Sequence, residues 1–260
     1  MTPLRGFTGA LVMHLRLYAF HQFRFVTVVA QPAAMTAVAL LVLRTATTEA
    51  NVFRVLIGGA LVGMWGAVVG TSFFTIRRER EWYGTFSLLT VVPAPIASVF
   101  SGYLLAETAI SLFGVAVSFG VGYGIVGNLV TVEAPVRFAI SLVLGGISVA
   151  ALALLIGPLV LLLPVLTRWV NVFDHPVWIL AGFLFPIAIL PGWTNPLSHG
   201  LSVYWGVEAL RRSAAGAPWS ELLPIWAAIL GLVVSYFAVS VAGLSLAVRR
   251  LRRTGELVAA

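Results

Sequence analysis

The chain has 260 residues, of which 60% are hydrophobic and 10% charged, and its formal net charge of +7 comes from 16 arginines with no lysine. Ordinary soluble domains carry about 25% charged residues, so a water-soluble core is excluded and a bilayer-embedded body is implied. The absence of Cys removes disulfides, thiolate metal sites and Cys nucleophiles, and the absence of Lys removes a GxxxxGK[ST] phosphate loop, so the chain does not hydrolyse ATP by that route.

Residues 1–24 carry three arginines and two histidines ahead of the first long apolar run, unlike the short n-region of a secretory signal, and are expected to stay attached on the cytoplasmic side. Leu4, Phe7, Leu11, Leu15 and Tyr18 form one helical stripe, while Arg5, Arg16 and Arg24 fall on other faces. This pattern fits an amphipathic helix in the membrane interface or a cytoplasmic helix packed on protein. Six apolar segments follow, at approximately 25–43, 55–76, 96–126, 138–166, 176–191 and 222–248. Their continuous apolarity excludes a transmembrane β-barrel and predicts an all-α bundle of six transmembrane helices. The third and fourth segments exceed one span and must tilt, bend or protrude, with a kink expected at Pro158 and Pro164. Gly58, Gly59, Gly63, Gly66 and Gly70 would permit close helix packing.

With the N-terminus inside, eleven arginines fall on the cytoplasmic side and five (Arg44, Arg54, Arg137, Arg211, Arg212) on the outer side, as the positive-inside rule requires. Both termini are therefore expected in the cytoplasm, with residues 249–260 as a basic tail. The arginines flank apolar runs rather than forming one patch, which suits membrane lipid and not nucleic acid.

Between spans two and three, residues 77–95 include Glu79, Arg80, Glu81, Trp82, Gly84, Phe86 and Leu89 and end at Pro93-Ala94-Pro95. By its own chemistry this loop suits either a short docking helix or an anionic-lipid anchor. Residues 192–220 are amphipathic: Glu208 can pair with Arg211 and Arg212 at i+3 and i+4, and Trp193, Tyr204, Trp205 and Trp219 suit a membrane-interface belt. They read as a re-entrant hairpin over the outer end of a pathway, with Trp193, Tyr204, Glu208 and Arg211 as outer-gate candidates, or as an ordinary interfacial helix. Glu107, about a dozen residues into span three, is either deep in the bilayer or, if the helix tilts, near the inner headgroups. Tyr103, Phe73 and Phe74 join it as pathway candidates, although aromatic residues in spans more often pack or face lipid. Asp174 suits a helix cap. The four histidines are scattered, His14 and His21 read as surface residues, and no metal site is expected.

The ERE-x-x-GT-x-x-LL-x-x-x-P run at Glu79–Pro93 resembles the cytoplasmic signature of type-2 ABC exporter permeases, as do Phe185–Trp193, Pro196-Leu197 and the stretch from Tyr204 to Arg211. The resemblance implies a coupling helix seated in a groove of a separate ABC-type ATPase subunit that binds ATP and magnesium, with no cofactor on this chain. It also implies pairing with a second identical or homologous permease. Gly84-Thr85-Phe86-Ser87 and Gly102-Tyr103 depart from the family's usual Gly-Thr-Leu-Glu and Gly-Lys, so no particular salt bridge carries over. The expected role is transport of an amphiphilic small molecule, peptide or lipid-like cargo, as in drug or antibiotic efflux. Export of a polyprenyl-linked glycan, an intramembrane lipid-modifying enzyme and a scaffold are the alternatives.

Overall fold

A computed structural model describes residues 3–18, 25–42, 49–77, 95–127, 131–163, 175–183 and 186–254. Every regular element among them is helical: α1 (Pro3–Tyr18), a π-helical turn (Phe25–Ala30), α2 (Gln31–Val42), α3 (Glu49–Arg77), α4 (Ile96–Ser111), α5 (Phe113–Val126) and α6 (Pro135–Leu162). Residues 175–181 are also helical. Two single-turn 3-10 segments (Ile187–Ile189, Gly192–Thr194) then lead into α7 (Asn195–Gly200), α8 (Ser202–Ala214) and α9 (Trp219–Thr254).

Four helical stretches among the described residues are long and apolar enough to cross a bilayer: Val52–Gly70, Ile96–Val126, Pro135–Leu159 and Trp219–Arg250. The first expected segment divides into the π turn and α2, and its shorter run Val28–Val42 falls below the roughly 20 residues of a full crossing. Helices are the form such sequences take because each backbone polar group must be satisfied within its own segment when no water is at hand.

α3 is the centre of the bundle. Val55, Leu61, Met64, Trp65 and Val68 are all buried, and α2, α4, α5 and α6 surround the helix. Its glycines admit α2 closely: a Cβ at Gly59 or Gly63 would collide with Thr36 or Pro32, and one at Gly66 would lie 2.6 Å from Gln31 Oε1. By contrast α9 keeps Val234, Phe237, Val239 and Leu246 exposed, the surface a lipid-facing helix presents.

The third segment, expected to tilt, bend or protrude, is divided at Leu112 between α4 and α5, although Leu112 keeps helical backbone angles. Thr108 Oγ1 donates to the Leu104 carbonyl and Ser111 Oγ to the Thr108 carbonyl, a back-bonding that competes with the helical ladder next to this division. α6 passes through Pro158 and ends at Leu162; Pro158 packs where Gly243 of α9 leaves room.

Helix direction follows from side-chain neighbours. Phe53 meets Phe138 and Met64 approaches Gly146, so α3 and α6 run the same way. Trp226 bonds Ser141 and Gly243 meets Pro158, so α9 runs the same way as both. One end of the bundle therefore gathers Arg77, the start of α4 and Arg249, Arg250 and Arg253, while Arg54, Arg137, Arg211 and Arg212 lie at the other.

Candidate functional site

Each end of the bundle holds a polar assembly. At the arginine-rich end, α1 packs along α4 rather than standing apart. Its packed face is not centred on the expected stripe: Leu4 is 69% exposed, whereas Ala10 and His14 are buried. Gly102 makes the close packing possible. A Cβ there would collide with the Phe7 carbonyl oxygen and lie 3.0 Å from Ala10 Cβ and 3.1 Å from Leu11 N. One turn further along α1, His14 Nε2 lies 2.8 Å from Glu107 Oε2, with both residues almost wholly buried. The His14 ring also packs on Tyr103 at 5.3 Å between centroids, and Tyr103 in turn meets Phe100 edge-on. His14 is thus an interior residue rather than a surface one, and it is the partner of Glu107 that the sequence left unnamed.

At the opposite end, a crevice of about 330 Å³ opens between the start of α3, residues 181–182 and 186–188, and α8. Phe53, Ile57, Ile187 and Val207 give it apolar walls, and Arg54, Tyr204, Glu208 and Arg211 bring polar groups to it. The position of α8 sets this geometry. Ser202 Oγ donates to the Ser148 carbonyl, Gly206 faces Gly145, and the Glu133 N–H donates to the Ala214 carbonyl. α8 therefore lies antiparallel along the N-terminal half of α6. The turn before α8 is held by the Tyr236 hydroxyl, which donates to the Gly200 carbonyl, and by Trp205 Nε1, which donates to the His199 carbonyl at 2.9 Å.

Helical spacing delivers the charge cluster expected from the sequence. Arg211 grips the Glu208 carboxylate with two hydrogen bonds of 3.0 and 2.7 Å, and Arg212 Nε adds a third at 2.6 Å. Arg212 also reaches Glu221 on α9 at 3.8 Å. Burial alone would push the Glu208 pKa up, but the hydrogen bonds and charges of Arg211 and Arg212 outweigh it and hold the carboxyl below its ordinary value. Glu208 is therefore an anion already matched by two guanidiniums. Arg54 differs: it has no hydrogen bond or ion pair among the described residues.

Of the expected outer-gate residues, Tyr204, Glu208 and Arg211 converge on the crevice, while Trp193 is 72% exposed and outside its lining. Of the expected pathway residues, Tyr103 and Glu107 lie at the contact with α1; Phe73 and Phe74 lie on α3, their side chains outside the described structure. Glu79, Arg80, Glu81, Trp82, Gly84, Phe86 and Leu89, like Asp174, lie outside the described residues. No cluster of His, Cys, Asp and Glu suited to a metal occurs among the described residues. Sequence reasoning missed His14 and Arg54 as site residues. The advance signal for Arg54 was its place immediately before the apolar run that begins at Val55. No protein-family model matches the chain, and comparison with curated proteins finds no match.

Proposed function

We propose that this chain is the transmembrane subunit of an ATP-driven exporter of the type-2 ABC permease kind. It works as a homo- or heterodimer above two separate ATPase subunits that carry the ATP and magnesium. The observation that carries the reading is where the loop bearing the family-like run leaves and returns. α3 delivers it and α4 receives it at the bundle end that also holds α1, Arg249, Arg250 and Arg253. The positive-inside rule turns that end to the cytoplasm, where a soluble ATPase would meet it.

In this reading the six crossings are the π turn with α2, then α3, α4 with α5, α6, the stretch through 175–191, and α9. The segment 192–220 is a re-entrant hairpin entering from the outer side. The register of α8 along α6 supports that assignment, since irregular backbone at membrane depth is tolerated where protein surrounds it. Trp82, Phe86 and Leu89 supply apolar anchors for a helix-in-groove contact, and Glu79, Arg80 and Glu81 position it. ATP-driven closure of the ATPases pushes on this loop and tilts the two bundles. An amphiphilic cargo then leaves outward or into the outer leaflet, as in drug efflux.

The chain has no native Cys, so a Gly84→Cys variant reports on one site alone. A membrane-impermeant maleimide should label it in inside-out vesicles and not from outside. The ATPase should co-purify with the wild type, and Phe86→Asp with Leu89→Asp should abolish transport while the helical bundle stays folded. Labelling from outside, or cargo movement by the pure chain without a nucleotide-hydrolysing companion, would overturn the reading.

A further inference from the structure

We propose that the crevice between α3 and α8 binds the anionic headgroup of a membrane amphiphile, a phosphate monoester or a free carboxylate on an apolar body, with Arg54 receiving the charge. Two guanidiniums, Arg54 and Arg211, line this space with one carboxylate, Glu208. That carboxylate is already engaged by Arg211 from the lining and by Arg212 from beside it. A cationic ligand would therefore meet surplus positive charge, and a neutral one would leave Arg54 as it stands, without a partner among the described residues. An anion completes the site. A guanidinium fork matches the planar or tetrahedral oxygens of carboxylate and phosphate, and such charge-assisted bonds strengthen where water is scarce.

The walls say what the anion is attached to. Phe53, Ile57, Ile187 and Val207 surround the polar groups with apolar surface, so a bare anion would leave most of the crevice unmatched. A space of about 330 Å³ admits a headgroup and the first few carbons of a chain; the rest of the amphiphile must lie outside. The proposal concerns binding and holds with or without an ATPase partner; that the bound amphiphile is cargo rests on the exporter reading.

The test uses the full chain in nanodiscs of phosphatidylcholine, with radiolabelled dodecyl phosphate as probe. Binding should saturate, and Arg54→Gln should weaken it by about tenfold or more, the loss expected for one charge-assisted contact. Arg54→Lys should bind in between, because it keeps the charge without the fork. Ile57→Trp, which fills the apolar part and leaves Arg54 in place, should block binding. Dodecyl maltoside should not displace the probe, and inorganic phosphate should do so only at far higher concentration. Helical circular dichroism and elution volume certify each variant; should Arg54→Gln fail to fold, Arg54→Lys and Ile57→Trp decide the matter. Wild-type-like binding by the variants, or equal displacement by the maltoside, would overturn the proposal. Displacement by inorganic phosphate at the probe's own concentration would refute the amphiphile and leave a free-anion site.

Discussion

Replacing Gly102 by Ala should undock α1 by destroying a hydrogen bond it does not touch. The new Cβ would collide with the Phe7 carbonyl oxygen and crowd Leu11 N at 3.1 Å. Both are backbone atoms locked in the ladder of α1, so no side-chain rotation relieves the clash and the helix must move as a body. A comfortable carbon-to-oxygen approach is about 3.3 Å, which requires a retreat on the order of 1 Å. The His14–Glu107 bond, 2.8 Å long and one turn away, cannot follow: stretched past about 3.5 Å it ceases to exist. Both residues are almost fully buried, at 3% and 2% exposure, so water does not replace the bond that parting them removes. Losing a hydrogen bond between buried polar groups costs about 1–3 kcal/mol, at the upper end roughly a hundredfold in the docking equilibrium. Amide hydrogen exchange in nanodiscs reads this directly. Residues 3–18 should exchange up to about a hundredfold faster while α6 and α9 keep their protection. His14→Ala should have a similar effect, and the Gly102→Ala/His14→Ala double variant should add little to either single one. Unchanged exchange in Gly102→Ala, or fully additive effects in the double variant, would show that the glycine and the His–Glu pair are not coupled as argued.

Two further outcomes follow from α8. A Cβ at Gly206 would lie 3.1 Å from the Gly145 Cα and 3.3 Å from Ser148 Oγ, so Gly206→Val should overpack the α6–α8 contact and cost about 2 kcal/mol, with Gly206→Ala costing less. Thermal unfolding in detergent checks the order. The depressed Glu208 pKa makes its ion pair a pH-dependent support. That support is complete above the ordinary glutamate value of about 4.3 and is lost as pH falls through the lower folded value. With Arg211 and Arg212 half exposed, screening keeps the loss to about 1 kcal/mol. Acid titration of stability should show this extra decline in the wild type, and Glu208→Gln should flatten it.

Much of this molecule could be read from the chain alone. A bilayer imposes a length and an apolarity on any helix that crosses it, so the segments at 55–76, 96–126, 138–166 and 222–248 are seen as α3, α4 with α5, α6 and α9. The Glu208–Arg211–Arg212 cluster was equally legible, because residues three and four apart on a helix share a face wherever that helix goes. The His14–Glu107 pair was not: its members stand 93 residues apart and meet only because Gly102 lets α1 lie against α4. Nor could the chain reveal that Arg54 and Arg211 share one crevice while, among the described residues, only Arg211 of the two has a carboxylate to hold. Periodicity and hydropathy are properties of a single segment and survive in one dimension. Which segments touch, and at what register, depends on small residues and side-chain volumes acting between helices, so the partners of a buried polar side chain become visible only once the bundle is assembled.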